Sequence, residues 1–164
     1  MKRNKQSYRQ AWIGIDPGSS SGGLALICPK AGKNGIKLDC SAIRFKDMTA
    51  KELCDWFKLF KKLDPVAIIE KVHVMPGTGA RAATSFMRHT GMVLGFLMAL
   101  NIPFKEITPQ TWMKYYGMKK KKGETKTLWK KRLKQKAQEL YPDAHIVTET
   151  GDATLIAEYC RKNF

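Results

Sequence analysis

The sequence predicts an α/β fold built on a mixed five-stranded sheet flanked by helices. Three observations lead there. Before Lys46 the chain holds three short apolar or alternating runs joined by turn-forming residues, the pattern of an antiparallel meander. Two later strand-like runs follow segments whose apolar residues recur at helical spacing. The chain is 164 residues long and 43% apolar, enough for one domain with a substantial hydrophobic core.

Trp12–Asp16 and Gly23–Cys28 read as two apolar strands linked by the Pro, Gly and Ser turn PGSSSG, and KLDCSAIRF (Lys37–Phe45) as the third. In TAKELCDWFKLFKKL, Thr49 stands at the N-cap position and Glu52 at the capping-box position. Leu53, Trp56, Phe57 and Phe60 then give one apolar helix face. PVAIIEKV (Pro65–Val72) is a dense β-branched run, the mark of a central strand buried on both faces. A long helix follows, ARAATSFMRHTGMVLGFLMALN, ending at Asn101. PFKEIT is the fifth strand, and PQTWMKYYG opens with a proline suited to the first helical position. ETKTLWKKRLKQKAQELYP is a polar, basic helix and DATLIAEYCRK the last one. The order βββαβαβα then α is that of a ribonuclease H-like fold. A doubly wound parallel sheet is the alternative, and the opening meander weighs against it. Residues 1–10, MKRNKQSYRQ, read as a basic arm ahead of a domain over 11–164.

Charge narrows the partner. Thirty Lys and Arg against fourteen Asp and Glu give +16. From Lys114 to Lys136 there are eleven Lys or Arg and one acid, Glu124, a net of +10 that leaves only +6 for the rest of the chain. Such a concentration points to a polyanion, with nucleic acid ahead of an acidic membrane surface. Lys119, Lys120, Lys121 and Lys122 form an unbroken run before Gly123, as at a loop tip, and Lys126, Lys130, Lys131 and Lys134 line the helix after it. Arg81 and Arg88, near the start of the long helix, are candidates to clamp a nucleic-acid strand. No run of about 18 apolar residues is present, so no membrane span is expected. The basic N-terminus lacks the apolar region of a secretory signal, and the scattered Cys28, Cys40, Cys54 and Cys160 suggest reduced thiols. A cytoplasmic setting is the expectation.

The candidate chemistry lies in the acids. Asp16 ends one buried strand and Glu70 another, where single carboxylates are costly unless cations neutralise them. Glu149 and Asp152 stand three apart at the expected start of the last helix, a spacing that would put both on one face at a helix end that favours negative charge. Mg²⁺ prefers hard oxygen ligands of this kind. Four acids suit a centre in which two cations roughly 3.5–4 Å apart stabilise the attacking and leaving oxygens of a phosphodiester displacement. No Ser-His-Asp or Cys-His pattern competes with that reading. The turn after Asp16 also fits the phosphate loop of actin-like ATPases, but those need two such domains and far more chain. No P-loop is present, so no nucleotide cofactor is expected.

In this order, IGIDPGSSSGGLALI, AIIEKVHVMPG, ITPQTWMKYYG and ETGDATLIAEY resemble the RuvC-type Holliday junction resolvases, most of all their phage-encoded and chloroplast branches, over Trp12 to Tyr159. The resemblance implies a homodimer of ribonuclease H-like domains that nicks four-way DNA junctions symmetrically with Mg²⁺ or Mn²⁺. It implies that Asp16 is the first-strand aspartate, Glu70 the central-strand glutamate, Asp152 the aspartate of the family's terminal DAL motif and Glu149 the acid three residues earlier. Thr154 departs from the leucine of that motif, Glu149 stands where aspartate is common, and Asp143 is the alternative fourth acid. His73 falls where some members carry an aromatic wedge. In the long helix, Phe86, Val93, Leu94, Leu97 and Leu100 form one apolar face while Met87, Met92, Phe96 and Met98 lie largely elsewhere, so a second surface needs burial. The resemblance implies a two-fold dimer there. Two other readings remain open: a non-catalytic module that binds branched DNA, and a nuclease of the same fold acting on flaps or RNA–DNA hybrids.

Overall fold

The computed structural model of the chain describes residues 11–32, 35–71, 73–74 and 77–164, so the basic arm over 1–10 lies outside the described residues. Strands β1 (Ala11–Asp16), β2 (Gly23–Gly32) and β3 (Gly35–Arg44) form the expected meander, β1 with β2 and β2 with β3 both antiparallel. A 3-10 turn over Phe45–Asp47 leads to α1 (Ala50–Lys61) and then to β4 (Pro65–Glu70), α2 (Ala80–Ala99) and β5 (Phe104–Ile107). Three helices close the chain: α3 (Pro109–Tyr115), α4 (Lys126–Leu140) and α5 (Gly151–Asn163). The sheet order is β3-β2-β1-β4-β5, with β1, β4 and β5 parallel. This is the mixed α/β, ribonuclease H-like architecture expected from the sequence.

Local signals set the helix ends. Thr49 accepts a hydrogen bond from the Glu52 amide while the Glu52 side chain returns one to the Thr49 amide, the reciprocal cap that starts α1. Pro109 opens α3, and the Thr125 hydroxyl caps α4 by accepting from the Leu128 amide.

The sheet separates two apolar cores. On one face Ile13, Ile15, Leu24, Leu26, Ala67 and Ile69 pack against α1 and α2. On the other, Ala25, Ile27, Val66 and Ile68 pack against Trp112 of α3, Trp129 and Leu133 of α4, and the buried residues of α5. Because strand side chains alternate, Trp12, Gly14 and Asp16 share the α5 face, as do Val66, Ile68 and Glu70. Helix α5 lies directly on β1. A Cβ at Gly14 would stand 2.1 Å from the Ala153 carbonyl oxygen and 2.2 Å from the Ala157 nitrogen, so only glycine permits this approach.

Candidate active site

Strand register brings the first two acids together. Gly14 pairs with Ile68 and Ile15 with Ile69 in the parallel β1–β4 ladder, so Asp16 and Glu70 leave the sheet side by side, on one face, at the carboxyl ends of adjacent strands. The third acid arrives on α5. Gly151 sits against the backbone of Lys134 in α4, where a Cβ would come within 2.9 Å of its Cα. That contact seats the first turn of α5 beside α4 and points Asp152 at the two strand ends. All three carboxylates are buried, with Asp16 7%, Glu70 8% and Asp152 4% exposed.

Two further side chains complete the cluster, and neither was assigned to it from the sequence. The Lys130 ammonium lies 2.7 Å from Asp152 Oδ2 and 3.4 Å from Asp16 Oδ2, and the indole N–H of Trp112 donates to Glu70 Oε1 at 2.8 Å. Lys130 stands one helical turn before Lys134, whose backbone Gly151 touches, so it lies over the start of α5. Lys130, expected among the DNA-binding lysines of this helix, turns inward to the acids in this structure. Trp112 carried a weak signal, since a fully buried indole N–H needs an acceptor and carboxylates are the strongest available.

The electrostatics follow from burial. Loss of water raises the Asp16 carboxyl well above its ordinary value, Lys130 opposes that shift, and the neighbouring Asp152 and Glu70 charges add to it. Burial likewise raises Glu70, with the Trp112 hydrogen bond opposing and Asp152 adding. Burial alone would depress the Lys130 ammonium, yet the charges of Asp16 and Asp152 hold it above the usual lysine value. Lys130 thus pairs directly with two of the three carboxylates, and among the described residues the buried Asp152 Oδ1 has no hydrogen-bond partner.

Among the described residues no group of three or more His, Cys, Asp or Glu side chains is drawn in closely enough to ligate a bare ion. The donor chemistry still fits a hard divalent cation: three carboxylates, an excess of negative charge and one orphaned buried oxygen.

Glu149 is not brought into this cluster. Helix α5 begins at Gly151, so Glu149 precedes it and the helical three-residue spacing to Asp152 does not apply. Its carboxylate pairs with Lys46 at 3.1 Å and lies 3.9 Å from Arg44, and Lys46 chiefly holds it below the ordinary glutamate value. Asp143 is farther from relevance: it is exposed and pairs with Lys37, at the opposite end of β3 from Arg44. Thr154 leaves the acids undisturbed, being fully buried with its hydroxyl donating to the Thr150 carbonyl. His73 is exposed.

The basic residues divide into two sets. Lys119, Lys120, Lys121 and Lys122 are exposed in the loop between α3 and α4, bounded by Gly117 and Gly123, both at positive φ. Glu124 ties the loop down, accepting from the Lys121 amide at 2.9 Å and from Arg132 at 2.9 Å. Lys126 is exposed at the start of α4, and Arg81 and Arg88 are exposed on α2.

No family model and no curated protein matches the sequence. Solved structures do match the fold. The Thermus thermophilus RuvC structure superposes with a TM-score of 0.55 at 17% identity, covering 90% of each chain. T. thermophilus RuvC in complex with a Holliday junction substrate superposes with a TM-score of 0.58 at 15% identity, covering 93% of this chain and 96% of that one. At such identities the likeness establishes a RuvC-like, ribonuclease H-like fold.

Proposed function

We propose that this protein is a divalent-metal-dependent endodeoxyribonuclease that resolves four-way DNA junctions as a homodimer. The observation that carries the reading is the convergence of Asp16, Glu70 and Asp152 from two parallel strand ends and one helix start, with a single lysine among them. A solved neighbour of the same fold, bound to a Holliday junction substrate, supports the choice of DNA structure.

Asp16, Glu70 and Asp152 would hold Mg²⁺, or Mn²⁺ in its place, as one ion or a pair. Glu149 joins as a fourth ligand only by leaving Lys46. Bound there, the metal supplies Lewis acidity and an activated water for phosphodiester hydrolysis. The protein's own groups do the rest. Trp112 fixes the orientation of Glu70. Lys119 to Lys122 and Lys126 hold backbone phosphates through charge-assisted contacts that carry no sequence information. Arg81 and Arg88 flank the cut strand from α2.

The outer surface of α2 supports the dimer. Val93 and Leu97 are buried toward the sheet, whereas Met87 and Met98 are 57% and 60% exposed. Gly91 and Gly95 lie between them, exposed and with open space beyond. A flat methionine- and glycine-lined stripe suits close packing of a second copy of the same helix.

The test is incubation of the purified protein with labelled four-way junction, linear duplex and flap, with and without Mg²⁺, alongside a solution mass measurement. Symmetric nicking of the junction by a dimer is expected. Preference for the flap or for an RNA–DNA hybrid would move the protein to another nuclease class of this fold. Junction binding without cleavage in Mg²⁺ favours a non-catalytic binding module, for which the inward Lys130 is the supporting observation.

A further inference from the structure

The position of Lys130 has a consequence for how the acids accept a cation. Its ammonium sits where positive charge is most needed, 2.7 Å from one buried carboxylate and 3.4 Å from another. The second oxygen of Asp152, Oδ1, is buried without a partner among the described residues, so the lysine leaves the cluster's negative charge incompletely satisfied. The Lys130 side chain keeps 22% exposure, while those of Asp16 and Asp152 keep 10% and 5%. The lysine is therefore the most exposed of these three side chains.

We infer that Lys130 is an internal counter-ion that holds the place of a divalent metal, so that metal entry and the Lys130 ion pairs are mutually exclusive. The inference rests on the proposed metal-dependent reading and adds a competitor to it. Without a cation the three carboxylates would repel one another in a low-dielectric setting, and the cleft would open or take up protons. Lys130 prevents this by bridging Asp16 on β1 to Asp152 on α5. A dication satisfies the same oxygens with twice the charge and expels the ammonium by repulsion. The freed lysine has a flexible four-carbon stem on α4, where Lys126 and Lys134 are its neighbours at helical spacing. Outward rotation would place it with them, on the surface proposed to meet phosphate.

Mn²⁺ binding measured by calorimetry, without DNA, reads this directly. Lys130→Met keeps the length of the stem and removes the charge. It is expected to bind Mn²⁺ on the order of tenfold tighter than the wild type, because two charge-assisted contacts no longer need to break. In EDTA the same variant is expected to melt below the wild type. Lys130→Arg should behave like the wild type, and Lys136→Met, which loses a surface lysine of the same helix paired with Glu139, should leave the affinity unchanged. Equal or weaker Mn²⁺ binding by Lys130→Met overturns the inference, as does a tightening of the same size in Lys136→Met, which would reduce the effect to net charge.

A second measurement needs no variant. Acetylation of Lys130 in the wild type, followed by mass spectrometry, should quicken when Mg²⁺ is added, and an unchanged rate overturns the inference. Absence of Mn²⁺ binding to the wild type overturns the metal-dependent function together with the counter-ion role. Metal-dependent junction cleavage with no affinity change in Lys130→Met overturns the counter-ion role alone.

Discussion

The indole N–H of Trp112 donates to Glu70 Oε1 at 2.8 Å, joining the first turn of α3 to the end of β4 across 42 positions of sequence. Both groups are buried, so this bond holds the Glu70 carboxylate in one orientation. Trp112→Phe keeps an aromatic ring and deletes the donor. It should destabilise the fold by about 1–3 kcal/mol in urea titration, the cost of leaving a buried acceptor unsatisfied. It should also slow junction cleavage at saturating Mg²⁺. Full activity in a destabilised variant would make Trp112 a packing residue only.

Asp16→Asn and Glu70→Gln should each abolish metal-dependent cleavage. In EDTA both should bind the junction as well as or better than the wild type, since one carboxylate fewer faces the phosphates. Gel-shift titration and cleavage on the same preparations check both halves. Cleavage retained by both variants would remove the two residues from the metal site.

The geometry ranks the remaining acids. Asp152→Asn should be as inactive as Asp16→Asn. Glu149→Gln should lose activity mainly at low Mg²⁺ and recover at high Mg²⁺ or in Mn²⁺, because its carboxylate begins on Lys46. Asp143→Asn, altering an exposed residue paired with Lys37, should be silent. Cleavage rate against metal concentration for the three variants gives the order. A crippled Asp143→Asn beside a normal Glu149→Gln would reverse the assignment.

Neutralising Lys119, Lys120, Lys121 and Lys122 together should weaken binding to every DNA tested and flatten its dependence on salt. Each lost phosphate contact lowers the slope of log K against log salt by about one. Binding measured between low and physiological salt on duplex and junction reports the change. An unaltered slope would make the loop a bystander.

Away from the acids, Glu158 accepts from the Tyr141 hydroxyl and from Arg161 Nε and Nη2, the latter two at 2.7 Å. Burial would raise its carboxyl, but the Arg161 and Tyr141 hydrogen bonds outweigh burial and hold it below the ordinary glutamate value. A carboxyl depressed by folding adds stability above its unfolded value, about 4.3, and that stability is lost as pH falls through the folded value. Glu158→Gln should therefore lower the urea midpoint at pH 7 and much less at pH 3. An equal difference at both pH values would assign the effect to packing.

Much of this could be read in the chain. The apolar runs of Trp12–Asp16 and Pro65–Glu70 gave two buried strands ending in acids, because an uninterrupted apolar run is a local property. The capping box at Thr49 and the proline at 109 marked helix starts for the same reason. The start of α5 was less legible. Thr150 makes no side-chain cap, and the turn is set by Gly151 meeting the Lys134 backbone, so sequence alone extends the helix back to Glu149.

The sequence by itself determined the elements, the two strand-end carboxylates and the concentration of positive charge between Lys114 and Lys136, since each is written in neighbouring residues. Tertiary structure decided which charges meet. Lys130 resembles its lysine neighbours in sequence, yet the approach of α5 to α4 turns it inward, while Lys46 draws Glu149 away from Asp152. Such pairings depend on distances of a few ångströms between residues up to 114 positions apart, and Coulomb energy in a buried site follows that distance, not the order of the chain.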